Sequence, residues 1–403
     1  MLVTELWDSG SFYSKGFCTP FRLILTGADL NSFYNNDLVK NTARERDSVF
    51  DKTGDSWIKP GKAAWSYFVD REISCEYDTI MSFIDSAAQI SVKNIIIDNG
   101  WRRWALTEPG AFLKVKKVCD KAHAAGIDVW VWKSSRLGPY SSLYRKYFFT
   151  MCKLCGVSGV KLDHLECESR KGINLYTDFA SDAAKHKLLI SYHNPNKPTG
   201  LSRTFPNLLT REAVRGLQTY SCPKDNVTHA FTRFIPDCAD YTPFCFSVPR
   251  LQRDSTIAHM LATTVIFNSG MLTFAEHPRN IFKQVIAPFL NAVAPVWDQT
   301  VVLKGSKIGT LALFARRSGA NWFVAALNGT DEYKNISVAL AEFLTDDTIY
   351  EALSYCDVQG DKNNIHRSKF NCSKNDTVTA LLAPGGGYAA YLVPQDDEGR
   401  RKS

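Results

Sequence analysis

Four apolar runs in the first half of the chain each end in polar or charged side chains. These ends lie at residues 98–101, 132–134, 161–164 and 192–194. If the runs are parallel strands of a β/α fold, their carboxyl ends meet around one concavity, where catalytic and binding groups usually lie. A collection of carboxylate, imidazole, amide and ammonium groups at such a place is suited to acid–base or nucleophilic chemistry.

Asp163 is the first candidate for a nucleophile. It lies inside the apolar run 159–165, where burying an aspartate is costly unless its charge is paired. Lys161 stands two residues earlier and therefore points to the same face of a strand. An ion pair between Lys161 and Asp163 would keep the carboxylate ionised, as a nucleophile requires, but it would equally serve as a structural salt bridge.

Other strand ends offer candidates for substrate binding. Asp98 stands before an Asn-Gly pair, so it either shapes a turn or binds a sugar hydroxyl. Trp101 has a flat apolar face on which a pyranose ring could stack. His193 either binds a hydroxyl or is satisfied within the structure, and Lys133 and Lys161 complete the set of possible ligands.

Strand-like and helical patterns alternate from residue 64 to about residue 290, which is typical of a parallel α/β fold. Eight strands are predicted, at 64–68, 94–98, 128–132, 159–165, 188–192, a poorly marked position near Gln218, 231–235 and 271–274. Helical patterns occupy 77–88, 112–125, 141–155 and 174–187. Eight alternating units predict a (β/α)8 TIM-type barrel over residues 51–296.

The pattern changes after residue 297. Alternating segments at 310–315, 322–327 and 388–393, with Asn-Gly and Gly-Gly-Gly turns, predict a C-terminal antiparallel β-sandwich domain over residues 297–395. Residues 396–403 form a charged tail. Residues 1–50 contain strand-like pieces but no complete module, so they are interpreted as the edge of a preceding β region.

Composition excludes several classes of protein. An apolar fraction of 45% with 24 Phe, 16 Tyr and 9 Trp can build a core and argues against disorder. The net charge of +7 arises from 48 basic and 41 acidic residues that are interspersed, which indicates a solvated surface rather than a nucleic-acid site. No apolar run approaches the ~20 residues of a membrane span. Residues 1–12 do not resemble a signal peptide, so the protein is expected in the cytosol unless its true N-terminus is missing.

Several segments resemble glycoside hydrolase family 97. They are WIKPGKAAW at 57–65, GVKLD at 159–163, KPTGLSRTFPN at 197–207 with REAVRG at 211–216, DYTP at 240–243 and WDQT at 297–300. The block from 197 to 216 is the most specific of them. The resemblance implies a catalytic barrel, a C-terminal β domain and cleavage of α-glycosides, in a chain that lacks nearly all of the family's N-terminal β-sandwich.

The family is divided by mechanism. Its retaining members, which include α-galactosidases, carry their nucleophile as the Asp after the fourth strand, whereas its inverting α-glucosidases lack that residue. Asp163 matches this position. The resemblance therefore implies a retaining, α-galactosidase-like enzyme, and it also suggests an extracytoplasmic location, since members of the family are usually exported.

The resemblance places the acid/base glutamate of the family at Gln218. An amide has no transferable proton at neutral pH, and general acid–base catalysis is commonly worth ~10²–10⁴ in rate. Three explanations remain open: another carboxylate, Glu212 or Asp240, has taken over; the substrates carry good leaving groups; or the chain binds carbohydrate without turnover.

Calcium is a further implication of the resemblance. Glu212 matches one ligand of the family, Asn194 and Gln218 replace two others, and a further ligand would come from the missing N-terminal domain. Calcium prefers six to eight oxygens, several of them charged. The loss of carboxylates therefore predicts that any calcium site in this chain is weak.

Overall fold

The computed structural model describes residues 21–395 except 66, 68, 70–72, 91, 137–140, 166–169, 221 and 246–253. A parallel sheet forms the wall of a nearly closed barrel. Its strands are β1 (Gly61–Ala64), β2 (Asn94–Ile97), β3 (Asp128–Ser134), β4 (Gly159–Asp163), β5 (Leu189–Tyr192), β6 (Leu208–Arg211) and β7 (Met271–Phe274). Their order is β6-β5-β4-β3-β2-β1-β7. The predicted TIM-type fold is confirmed, with seven paired strands in the described part of the chain.

Two of the eight predicted strands are wrong. The sixth strand is β6, whereas Gln218 lies in a 3-10 turn over Leu217–Thr219. The segment 231–235 is not a strand but a series of turns after a helix. Its buried residues, Phe231, Phe234 and Ile235, are separated by three and one positions rather than alternating, so an apolar run was mistaken for a strand.

An irregular segment at residues 237–241 fills the gap between β6 and β7. The Cys238 thiol donates to the Leu209 carbonyl at 3.2 Å, and the Ala239 N–H donates to the Asn268 carbonyl at 2.8 Å. The first contact reaches β6, and the second reaches the residue three positions before β7. The segment therefore occupies the place of a strand, although it forms no regular ladder with β6.

Helices cover the outside of the barrel, and the four predicted helical patterns are confirmed. The barrel helices are α4 (Tyr77–Ala87), α5 (Glu108–Ala124), α6 (Ser142–Leu154), α7 (Arg170–Lys185), α8 (Leu201–Thr204), α9 (Pro223–Ala230), α10 (Ile257–Ile266), α11 (Pro278–Phe282) and α12 (Ala287–Ala292). In α5, Thr107 caps the N-terminus through the N–H of Gly110, and buried residues recur at three- and four-residue spacing on one face. In the part of the chain that is described, none of the helices has both the length and the apolar character needed to cross a membrane.

The described residues before the barrel are helical rather than β. They form α1 (Leu30–Tyr34), α2 (Leu38–Asn41) and α3 (Val49–Thr53). Asp29 and Ser32 form a capping box at the start of α1. Helices of four or five residues are too short to show a periodic pattern, which is why they were not predicted. Residues 1–20 lie outside the described part.

The C-terminal part is an antiparallel β structure, as predicted. Its strands are β8 (Gln299–Val302), β9 (Leu311–Ser318), β10 (Asn321–Asn328), β11 (Lys334–Ala339), β12 (Tyr350–Val358), β13 (Asp361–Cys372), β14 (Thr377–Leu382) and β15 (Gly387–Pro394). Six of them pair in the order β13-β12-β15-β10-β9-β8, and β11 pairs with β14. Helix α10 is buried almost throughout, because it lies between the barrel and β10 and β15.

Candidate active site

The alternation of side chains along β4 positions the centre of the site. Val160 and Leu162 pack into the outer apolar core beneath the helices. Lys161 and Asp163 therefore face the barrel interior, since successive side chains of a strand point to opposite faces. The neighbouring strand β3 is in register with β4, with Ser134 opposite Asp163.

The Asp163 carboxylate accepts hydrogen bonds on both oxygens. Oδ2 accepts from the Trp132 indole at 2.9 Å, and Oδ1 accepts from the Asn194 side-chain amide at 2.8 Å and from the His164 N–H at 2.5 Å. Burial raises the pKa of Asp163, but the nearby His193 imidazole and these hydrogen bonds outweigh it, so the pKa lies below its usual value. Asp163 is therefore ionised at neutral pH, as a nucleophile must be.

The ion pair predicted between Lys161 and Asp163 is wrong. The Lys161 ammonium pairs instead with Asp240, at 3.2 Å from Oδ2, and both side chains are almost completely buried. The ammonium also lies 3.4 Å from the centroid of the Trp65 ring. A strand advances about 3.3 Å per residue, so Asp163 stands nearer the mouth, while Asp240 approaches Lys161 from the segment beside β6.

Asp98 lies at the end of β2 on the same interior surface. Its Oδ2 accepts from the Trp65 indole at 2.6 Å, and its Oδ1 accepts from the N–H of Asn99 at 2.6 Å. Burial raises the pKa of Asp98 to about 6, against the opposing charge of Lys161. Asp98 thus shapes the turn after β2 and also contributes a carboxylate near Lys161.

His193 and Glu212 follow β5 and β6. The Nε2 atom of His193 lies 3.6 Å from Glu212 Oε1. Burial, followed by the charge of Lys161, lowers the pKa of His193 to about 4, whereas the side chain of Gln218 beside it acts in the opposite direction. The imidazole is therefore neutral at pH 7, and Gln218 belongs to the same cluster.

Asn194 connects the two sides of this cluster. Its side-chain amide donates to Asp163 at 2.8 Å, and its backbone N–H donates to Glu212 Oε2 at 2.8 Å. The residue has a φ of 46°, a left-handed conformation that asparagine tolerates better than most residues. Burial is the main reason why the pKa of Glu212 is raised to about 7.

Trp101 does not offer a sugar platform. The side chain is 1% exposed and belongs to the outer apolar core. Its indole donates to the Trp132 carbonyl at 2.9 Å, and its ring packs edge-on against Phe112. The position after a strand end suggested the mouth of the barrel, but the turn directs this ring under the helices.

Lys133 also points away from the site. It alternates with the inward-facing Trp132, so its ammonium lies between α5 and α6 and donates to the Tyr144 hydroxyl at 2.7 Å. Glu108 Oε1 lies 3.8 Å away and accepts from the same hydroxyl at 2.6 Å. The prediction of a substrate-binding Lys133 is therefore wrong. It was based on the position of Lys133 at the end of a strand and did not consider that successive side chains of a strand point to opposite faces.

This difference in orientation predicts opposite results for two lysine variants. Lys133→Met should leave sugar affinity unchanged and lower the free energy of unfolding by about 1–3 kcal/mol, because Tyr144 and Glu108 lose a buried partner. Lys161→Met should instead abolish measurable sugar affinity. Calorimetric titration and denaturant unfolding of both variants check this, and a Lys133 variant of normal stability with weakened sugar binding would contradict the assignment.

Two tryptophans of the site were assigned no role from the sequence, although Trp132 lies at one of the strand ends. Trp132 holds Asp163 and Trp65 holds Asp98 through their indole N–H groups. Strand register could have indicated them, because side chains that point inward from the ends of neighbouring parallel strands lie side by side. Their aromatic character alone indicated only the core.

The residues expected to contact calcium do not form a calcium cage. The Asn194 amide is turned to Asp163 as a donor, and Glu212 Oε2 accepts from a backbone N–H. Within the described ranges, no group of three or more His, Cys, Asp or Glu side chains is arranged to hold a metal ion. A single carboxylate with an amide donor does not match the oxygen-rich shell that calcium requires, so we derive no step through this ion.

A separate cavity of about 580 Å³ lies at the opposite end of the barrel. It is lined by Leu208 and Gly270 at the amino ends of β6 and β7, with Tyr34 and Trp297 among the other lining residues. None of the candidate catalytic residues contributes to it. The chemistry assigned above therefore belongs to the carboxyl ends of the strands.

A barrel whose mouth carries an ionised, hydrogen-bonded aspartate among other buried carboxylates is suited to the carboxylate chemistry of glycoside cleavage, one of the several chemistries that this fold supports. The glycoside hydrolase 97 family model matches residues 57–214, and the model described as glycosyl-hydrolase 97 C-terminal, oligomerisation, matches residues 296–393. The chain belongs to glycoside hydrolase family 97.

Two named relatives agree with this assignment, and a solved structure has the same fold. A retaining alpha-galactosidase of Bacteroides thetaiotaomicron is 28% identical over 438 residues, covering 97% of this chain and 62% of the relative. A protein named "Probable retaining alpha-galactosidase" of Streptomyces bingchenggensis is 28% identical over 332 residues, covering 79% and 51%. A family 97 enzyme of Pseudoalteromonas sp. strain K8, solved with acarbose, has a TM-score of 0.79 at 22% identity, covering 92% and 65%. The chain thus spans between half and two thirds of the length of these proteins.

Proposed function

We propose that this chain is a retaining α-glycosidase of the α-galactosidase type, in which Asp163 forms a covalent ester with the sugar. The observation that carries the proposal is the Asp163 carboxylate, held ionised at the end of β4 by Trp132 and Asn194. The names of the two relatives that are similar to this chain support the same reaction. Asp98, Lys161 and His193 surround the same interior and are proposed to bind sugar hydroxyls.

The reaction has two steps. An Asp163 oxygen attacks the anomeric carbon while the bond to the leaving oxygen breaks, which gives a glycosyl ester and an alcohol once that oxygen has gained a proton. Water then attacks the same carbon, loses a proton and releases Asp163 with the configuration retained. Neutral His193 and the amide of Asn194 can bind and orient polar groups but supply no negative charge that competes with the nucleophile.

A second candidate function is carbohydrate binding with impaired or absent turnover. It is favoured by Gln218, which lies beside His193 within the cluster and cannot transfer a proton at neutral pH. Two carboxylates could replace a glutamate at position 218 as the proton donor. One of them, Asp240, forms an ion pair with Lys161. Glu212, whose side chain is 12% exposed, is the better placed of the two.

Covalent trapping distinguishes the two functions. A 2-deoxy-2-fluoro-α-galactosyl fluoride needs little acid assistance, because fluoride is a good leaving group, and the fluorine at C2 slows release of the ester. We expect mass spectrometry to find the fluorosugar on the peptide that contains Asp163. Binding of galactose without labelling would favour the second function, and labelling of a different carboxylate would reject Asp163 as the nucleophile.

A further inference from the structure

The boundary between β6 and the segment 237–241 is the irregular part of the barrel wall. On its other side, β6 pairs with β5, and the N–H of Glu212 continues that pairing to the Tyr192 carbonyl at 2.9 Å. Toward the segment 237–241, β6 accepts a hydrogen bond from the Cys238 thiol at the Leu209 carbonyl, and beyond β6 the Leu217 N–H donates to the Tyr241 carbonyl at 3.3 Å. Neither contact involves residues 211–213, so the spacing of the two segments at the end of β6 depends on other contacts.

Arg233 bonds to both segments at once. Its Nε donates to the Ala213 carbonyl at 2.7 Å, and its Nη2 lies 2.8 Å and 2.9 Å from the carbonyls of Arg211 and Glu212. On the other side, Nη1 donates to the Asp237 carbonyl at 2.9 Å, and Nη2 lies 3.0 Å from the Cys238 carbonyl. One planar guanidinium thus contacts five backbone carbonyls.

Both bonded segments carry site carboxylates. Glu212 is itself one of the bonded residues, and Asp240 follows Cys238 by two positions. Ala213 has a φ of 33°, which is unfavourable for a residue with a Cβ atom. The bond from Arg233 to the Ala213 carbonyl is therefore suited to holding the chain in this bend directly after Glu212.

We propose that Arg233 is a positioning residue of the active site, which sets the separation of Glu212 and Asp240 by clamping the two backbone segments that carry them. The effect of Arg233 on catalysis rests on the proposed function, whereas its effect on the spacing of the two segments is independent of that function. Arginine suits it because its donors form a rigid planar fork, whereas lysine presents a compact ammonium on a flexible stem. The Arg233 pKa, lowered to about 10 mainly by burial, still leaves the group charged at pH 7.

The test compares Arg233→Lys and Arg233→Ala with a matched control, Arg145→Lys. Arg145 is buried, and it pairs with Asp178 and Asp182 on α7, away from the site. Hydrogen exchange followed by mass spectrometry reports the clamp without requiring turnover. For both Arg233 variants we expect faster exchange in peptides covering 208–217 and 237–241, with the rest of the barrel unchanged, whereas Arg145→Lys should leave those peptides as in the wild type.

Kinetics with an aryl α-galactoside then report the catalytic consequence. We expect kcat of Arg233→Lys to fall by about 10²-fold, the effect of a small misplacement of reacting groups, with little change in KM. Added guanidinium chloride at low millimolar concentration should recover part of the kcat of Arg233→Ala but not change the wild type.

Two results would overturn the proposal. Wild-type exchange and kinetics in Arg233→Lys would show that the contacts of Arg233 position nothing, and uniformly faster exchange over the whole barrel would show a general loss of stability. A wild-type protein that hydrolyses no glycoside would instead reject the proposed function, and the exchange experiment would still decide whether Arg233 clamps the two segments.

Discussion

Replacing Gln218 with glutamate should raise the hydrolysis of an aryl α-galactoside by about 10²–10⁴, the usual contribution of general acid–base catalysis. The amide of Gln218 cannot protonate the leaving oxygen or accept a proton from water. A carboxyl group at this position, beside the neutral His193, could do both in turn. The measurement is kcat/KM of Gln218→Glu and the wild type with leaving groups of increasing pKa, and the gain should be largest for the poorest leaving group.

Two control variants test this explanation. Thr219→Glu introduces the same charge one residue away at an exposed position and should not raise the rate. Glu212→Gln tests whether Glu212 already transfers the proton, in which case this variant loses wild-type activity and Gln218→Glu adds little. An unchanged rate in Gln218→Glu would show that Gln218 does not occupy the acid/base position.

Azide provides an independent check that the wild type lacks a general base at position 218. It can attack the anomeric carbon of the glycosyl-enzyme without losing a proton, so it needs no general base. We expect azide to accelerate turnover of the wild type and to yield an α-glycosyl azide, because two displacements at one carbon retain its configuration. The same addition should accelerate Gln218→Glu much less.

Replacing Asp163 with alanine should lower turnover by a factor on the order of 10⁴ or more, the scale of losing the nucleophile of a covalent mechanism. The side chain is hydrogen-bonded on both oxygens by Trp132, Asn194 and the backbone of His164. No other carboxylate among the described residues has this combination of partners. The loss should appear in kcat, and the fluorosugar should no longer label the protein.

The products of the Asp163→Ala variant give a sharper criterion than its rate. Azide that enters the space left by the carboxylate displaces the leaving group directly, so a single displacement yields the β-glycosyl azide. The wild type should yield the α product. Turnover that survives in Asp163→Ala without azide would reject the enzymatic proposal.

Part of the site could be predicted from residue types and strand ends. Four candidates lie in the barrel interior, as their positions at the ends of apolar runs predicted: Asp98, Lys161, Asp163 and His193. Lys133 and Trp101 follow the same rule and lie outside the site. The rule fails because a strand end defines a height in the barrel, whereas the direction of each side chain depends on register.

The partners of each charge could not be predicted. Lys161 is paired with Asp240, which is 79 residues later in the chain, rather than with Asp163, which is two residues later. Local spacing favours the near residue, but a strand holds residues two positions apart at a fixed separation along its axis. The segment 237–241 brings Asp240 to Lys161, and no pattern in the sequence predicted that this segment lies beside β6.

The sequence by itself determined the alternation of strands and helices, the antiparallel C-terminal part, and the presence of an aspartate at the end of the fourth strand, because these follow from local apolar periodicity. Only the tertiary structure decided which indole and amide groups hold that aspartate, which carboxylate neutralises Lys161, and how Arg233 joins two segments without a ladder. Those outcomes depend on contacts between residues far apart in the chain, and such contacts leave no local periodic signal.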